Sequence, residues 1–161
     1  MKYCIRKAQK SDVNALLALI QELARFEKAP DAVSITAKEL ERDGFGPTPL
    51  FECFVAEVED KIVGMALFYP RYSTWEGPTY HLEDLIVEES MKQKGIGTAL
   101  YQAFISYAHA KGVQRIEWVV LDWNSPAIEF YQKSGARLFT DWHLVQMDRP
   151  AMQRYIDSIK S

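Results

Sequence analysis

The chain has 161 residues and a mass of 18.5 kDa, with 48% apolar and 12% aromatic side chains. That content excludes disorder and suffices for one core of ordinary domain size. Nineteen Lys and Arg against 22 Asp and Glu leave a net charge of -3 and a pI near 5.6, which excludes the basic footprint of a nucleic-acid binder. Cys4 and Cys53 form no disulfide framework and sit in no metal-ligand spacing, so they read as reduced thiols. His81, His109 and His143 form no ligand spacing either, and no metal is expected. The apolar runs at 15–20 and 62–69 are far shorter than the ~20 residues that span a bilayer. Charges stand at the N-terminus where a signal peptide is apolar. A soluble, cytoplasmic protein with no membrane partner is expected, folded as a single domain over 1–161.

In chain order, residues 3–6 read as a short strand. Ser11 then offers an N-cap to a helix with Val13, Leu16, Leu17, Ile20, Leu23 and Ala24 on one face, running to about Lys28. Thr36 and Glu39 have capping-box spacing for a second helix that Gly44 would end. Residues 51–58 and 62–69, joined by the polar Glu59-Asp60-Lys61, read as an antiparallel hairpin. A further strand is expected at 79–87. Strict alternation puts Tyr80, Leu82, Asp84 and Ile86 on one face and His81, Glu83, Leu85 and Val87 on the other. Gly95-Ile96-Gly97 opens an amphipathic helix that Gly112 ends. A β-branched strand follows at 116–121, and Ser125-Pro126 starts a helix that stops at Gly135. Short strands are expected at 137–139 and 142–147, then a helix from Pro150 to about Lys160. Helices interleaved with strands point to an α/β sheet covered on both faces.

Three stretches carry chemistry. Lys92-Gln93-Lys94-Gly95-Ile96-Gly97 joins a strand to a helix. Glycine admits close backbone approach, and a helix N-terminus offers free N–H groups and partial positive charge, which together suit a phosphate. A Walker loop is excluded because Thr98-Ala99 follows Gly97, and a dinucleotide fingerprint is excluded by Leu100 where a third small residue belongs. The second stretch runs from Leu121 through Asn124 to Tyr131 and Gly135, a strand end, a turn and a helix; Tyr131 could also simply pack, three residues from Ile128. The third is Glu83-Asp84 inside an otherwise apolar strand, where a carboxylate facing a covered side needs a partner or a task.

Lys92-x-x-Gly95-x-Gly97 ahead of a helix, with Asn124 and then Tyr131 seven positions on, resembles the acyl-CoA N-acyltransferases of the GNAT superfamily. Residues 23–28, 43–46, 72–77, 80–84 and 121–124 resemble more closely the spermidine/spermine and thialysine N-acetyltransferases, and Tyr72-Ser73-Thr74-Trp75 and Leu121-Asp122-Trp123-Asn124 look more like the thialysine enzymes. The resemblance implies an α/β GNAT fold, a mixed, mostly antiparallel twisted sheet with helices on both faces. It implies acetyl-CoA as cosubstrate, with its pyrophosphate on the backbone of Lys92, Gln93, Lys94, Gly95, Ile96, Gly97 and Thr98. The pantetheine arm would run along Leu85, Ile86 and Val87, and Asn124 and Ala127 would complete the cofactor site. Tyr131 matches the general acid that protonates the leaving thiolate, and Glu83 the glutamate that deprotonates the acceptor through a water.

The acceptor implied is a small primary amine: thialysine or another lysine analogue, a diamine or a polyamine. Such an ammonium has a pKa of about 10.4, so roughly one molecule in a thousand is neutral near pH 7.5, a handicap of about 4 kcal/mol that a base must remove. Phe26, Glu27, Trp75, Glu83, Asp84 and Asp141 match acceptor-side positions. The family's first loop residue is usually Arg or Gln where this chain has Lys92. The polyamine enzymes carry an acid where Ser73 stands, which favours a shorter amine, and the segment between Gly135 and Trp142 is shorter than theirs. A homodimer paired through C-terminal strands is also implied. Two rival functions are a protein or peptide acetyltransferase acting on lysine or an N-terminus, and a non-catalytic acyl-CoA-binding sensor.

Overall fold

The structure is a computed structural model that describes residues 2–160. Five strands, β1 (Cys4–Lys7), β2 (Glu52–Val58), β3 (Lys61–Ser73), β4 (Gly77–Val87) and β5 (Ile116–Glu117), form one sheet in chain order. The first four pair antiparallel and β5 joins β4 in parallel. A parallel pair needs a long crossover, and helix α3 (Ile96–Ala110) supplies it. Helices α1 (Val13–Phe26) and α2 (Ala37–Phe45) precede the central hairpin, and α4 (Ser125–Lys133) and α5 (Arg149–Ser158) lie near the C-terminus. The chain forms two units of internal contacts, the first ending at Val119 and the second beginning at Val120. The whole sheet and α1 to α3 belong to the first.

Both faces of the sheet are covered, as expected. Leu16 and Leu19 of α1 pack with Cys53, Val55, Met65, Leu67 and Ile86 on one face. Alternation turns Phe54, Ala66 and Phe68 to the other, where Phe104 of α3 lies 4.9 Å from the Phe68 ring and Tyr80 and Tyr107 complete an aromatic cluster. Burying each such side chain contributes about 1.5–3 kcal/mol. Arg6 of β1 donates two hydrogen bonds to the buried Asp12 and one to Glu57, anchoring the entry to α1. That guanidinium holds the Asp12 carboxyl below the usual range against the upward push of burial.

Several expectations change. Ser11 does not cap the first helix: it lies inside a 3-10 turn over Lys10–Asp12, and Asp12 stands at the N-cap. The second helix runs through Gly44, because the Phe51 ring occupies the place of a side chain there; a Cβ on Gly44 would lie 2.2 Å from it. The strand expected at 116–121 is confined to Ile116–Glu117. Residues 137–139 and 142–147 are not strands: an alternating pattern becomes a strand only where a neighbour takes up its backbone hydrogen bonds, and among the described residues none pairs with this segment. The capping box at Thr36 and Glu39 forms as read.

A further correction positions the site. Leu67 pairs with Asp84 and Phe68 with Leu82, so Glu83 is an extra residue in β4 with no partner in the register. A bulge of this kind interrupts alternation. Tyr80 and Leu82 therefore share the face of Phe68, and Asp84 and Ile86 share that of Leu67. The sequence pattern, which carries no sign of a bulge, had placed all four together and set Glu83 and Asp84 on opposite faces.

Candidate functional site

The bulge gathers acids. Glu83 is exposed and Asp84 half-buried, and Glu27, just past the end of α1, acts on both through its charge. Burial, then the charges of Glu83 and Glu27, push the Asp84 carboxyl up to about 7. Burial and then Glu83 push Glu27 up as well. Every influence on Asp84 opposes its ionisation, so the cluster gains from any cation brought to it. The Tyr69 hydroxyl of β3 donates to Glu83 Oε2 at 3.1 Å, and His81 Nε2 lies 3.5 Å from the same oxygen. Tyr69 was not singled out from sequence. Its pairing with His81 across two strands is non-local, and only the register reveals it.

The glycine loop stands at the same end of α1. Glu22 accepts a hydrogen bond from the Glu89 amide at 3.0 Å, and Lys92 Nζ lies 5.0 Å from the centroid of the Phe26 ring. The backbone takes left-handed conformations at Gln93 and Gly95, with φ of 61° and 80°. For Gln93 that costs on the order of 1 kcal/mol, and such alternation is how consecutive amides line a concave anion cradle. The first amides of α3 have no partner within the helix. A Cβ on Gly97 would meet only Val87 Cγ2, at an ordinary 3.6 Å, so internal packing does not require glycine there. Lys92 pairs with Glu89 and Lys94 donates to the Ser90 carbonyl, which leaves the loop's backbone as its most available donor set.

Beside the loop, β5 pairs with β4 only at Tyr80 and His81. The β4 edge at Leu85, Ile86 and Val87 is therefore unpaired on that side among the described residues. Trp75 tops the β3–β4 hairpin at 84% exposure, in a turn where Ser73 Oγ accepts from the Trp75 and Glu76 amides.

In the second unit, Asn124 precedes α4, and its carbonyl accepts from the Ile128 amide at 3.0 Å. Asn124, rather than Ser125, stands at the N-cap, and its side chain caps no helix amide. Ala127 and Tyr131 follow half-buried on α4, with the Tyr131 and Phe130 rings 5.5 Å apart. Asp141 is exposed in a segment without regular structure. Among the described residues no group of three or more His, Cys, Asp or Glu has metal-binding geometry, and no helix is long and apolar enough to cross a membrane.

Residues 2–136 match the Acetyltransferase (GNAT) family. The thialysine N-epsilon-acetyltransferase of Bos taurus is 37% identical over 160 residues, 92% of this chain and 94% of that one. The spermidine/spermine N(1)-acetyltransferase-like protein 1 of Homo sapiens is 36% identical over 155 residues, 90% of this chain but 22% of that protein. Among solved structures, an aminoglycoside acetyltransferase from an uncultured soil metagenomic sample, in complex with trehalose, shares the fold. Its TM-score is 0.75 at 20% identity, over 91% of this chain and 97% of that one.

Proposed function

Because the chain belongs to the GNAT acetyltransferase family and is an N-acetyltransferase acting on an amine, we propose that it transfers the acetyl group of acetyl-CoA to a small primary amine. The acceptor is of the thialysine or lysine-analogue type, with diamines and polyamines as weaker candidates. The observation that carries this reading is the acid cluster of Glu27, Glu83 and Asp84 at the β4 bulge, which repels negative charge and welcomes an ammonium. The names of the thialysine relatives point the same way.

In this mechanism Asp84 and Glu27 hold the ammonium, with Phe26, Trp75 and Asp141 on the acceptor side. Glu83 removes one proton through a water. The freed nitrogen lone pair attacks the thioester carbonyl, forming the N–C bond; the intermediate then collapses, breaking the C–S bond, and the nitrogen gives its second proton to water to leave the neutral amide. An amide donor on the open β4 edge stabilises the oxyanion. Tyr131 gives its proton to the departing CoA thiolate and regains one from solvent. The residues present suit acetyl-CoA. Backbone amides of the loop from Lys92 to Thr98 would hold the pyrophosphate and the open edge from Leu85 to Val87 the pantetheine; on the second unit, Asn124 and Ala127 are the residues proposed to contact the cofactor. We read the two units as serving one N-acetyltransferase domain of a cytoplasmic homodimer. In support, the second unit exposes Leu138, Phe139, Trp142, Leu144, Val145 and Met147, an apolar run that a second copy would cover.

The test is release of free CoA thiol from acetyl-CoA over a panel of thialysine, lysine, putrescine, spermidine, spermine and a lysine-containing peptide. Turnover with one small amine, cut 10²- to 10⁴-fold by Tyr131→Phe, is expected. Turnover only with the peptide overturns the acceptor assignment, and an unchanged Tyr131→Phe overturns the acid.

A further inference from the structure

We propose that Tyr69 is a positioning residue for the reaction, holding the Glu83 carboxylate in place together with His81. This rests on Glu83 being the base. Glu83 is the unpaired residue of a bulge, so no strand register fixes its direction, and its side chain is about half exposed. A flexible carboxylate at such a point would spend much of its time away from the bound water. Two groups oppose that freedom. The Tyr69 hydroxyl donates to Oε2 at 3.1 Å, and His81 Nε2 stands 3.5 Å from the same oxygen.

The pair is itself held. Tyr69 and His81 are direct partners across β3 and β4, with ring centroids 5.2 Å apart and a 33° tilt. Burial lowers the His81 pKa, outweighing the opposing charge of Glu83, which favours the neutral ring. Its buried Nδ1 has no hydrogen-bond partner. A proton on Nε2 turns a hydrogen toward the carboxylate; a proton on Nδ1 would strand a buried donor and set two lone pairs face to face. The Nε2–H tautomer is therefore the favoured one. The Tyr69 hydrogen bond and the His81 contact both fall on Oε2, which leaves Oε1 to take the acceptor's proton through the water while Tyr69 keeps its own. Burial and then the Glu83 charge raise the Tyr69 pKa, which keeps the hydroxyl a donor.

Tyr69→Phe deletes the hydrogen bond and keeps the ring on His81. The expected result is a kcat lower by roughly 10- to 50-fold, with KM for acetyl-CoA and for the amine within about twofold of the parent. In a Glu83→Gln background the same change has no further effect, because the group it positions no longer works. A Tyr69→Phe enzyme of parental or higher kcat overturns the proposal, since the hydrogen bond then only restrains basicity. An equal loss in the Glu83→Gln background also overturns it and assigns Tyr69 a role apart from Glu83. Full activity of Glu83→Gln alone removes the base itself, which separates failure of the underlying reading from failure of this one.

Discussion

Two tyrosine–glutamate pairs place their carboxylates on the same sheet and have opposite surroundings. Tyr107 of α3 donates to Glu52 of β2 at 2.6 Å, and Lys7 bonds the same carboxylate at 3.0 Å. Burial pushes Glu52 up, but Tyr107 and Lys7 more than offset it, and the carboxyl ends below its usual range. Burial and then Glu52 push the Tyr107 hydroxyl up to about 12, which keeps it a donor. The Tyr69–Glu83 pair has a hydrogen bond of the same kind, but the nearby cation, Arg71, is paired with Glu117 at 2.7 Å, and the acids Glu27 and Asp84 are driven toward their neutral forms. The first pair is electrostatically complete and holds α3 to the sheet. The second gains from a cation that binds from outside. The hydrogen bond alone does not separate a structural pair from a working one; the charge around it does.

The largest expected effect separates the pairs by chemistry. Glu83→Gln should cut kcat by 10²- to 10⁴-fold while acetyl-CoA affinity, measured by calorimetry, stays within about twofold. Retained turnover would place the two pairs in the same class.

The next effect is on stability against pH. Asp84 titrates near 7 in the fold against an ordinary value near 3.8. The folded state keeps its proton over a range in which the unfolded chain has lost it. Stability should therefore fall as pH rises through that window and level off above about 7. Asp84→Asn should remove a fall on the order of 2 kcal/mol between pH 5 and pH 8, read as the difference in urea unfolding between variant and parent. Parallel profiles for the two proteins would show that the cluster carries no such strain.

Tyr107→Phe tests the structural pair. About 1–2 kcal/mol of unfolding free energy should be lost with kcat within twofold of the parent. A large kcat loss at unchanged stability would break the contrast. The smallest effect is expected at Lys92→Ala, with KM for acetyl-CoA raised less than about threefold. Lys92 is engaged with Glu89, and backbone amides supply the cradle. A tenfold rise would transfer that role to the side chain.

Much of the fold was legible in residue order. The glycine loop, the capping box, the central hairpin and the helices at Ser125 and Pro150 are local features, in which the residues that set the backbone are near neighbours in the chain. Glu83 and Asp84 stood out as carboxylates in an apolar strand. Their relation to each other could not be read, because one inserted residue reverses every later face, and a bulge depends on the partner strand. Tyr69 was invisible for the same reason: its meaning comes from a register partner twelve positions away. The strands expected at 137–139 and 142–147 failed on that dependence too, since alternation specifies a strand only where a neighbour is available.

By itself the sequence determined the covered α/β sheet, the order of its elements, the glycine-containing loop ahead of α3 and the types of residue available for acid–base work. Periodicity, capping and glycine placement act over one or two helical turns, and those distances are written in the chain. The tertiary structure decided which acids meet, that Glu27 from the end of α1 joins Glu83 and Asp84 from β4, and that Tyr69 and His81 hold one of them. Those outcomes depend on strand register and on how much water each carboxylate loses, and both are set only when distant segments pack together.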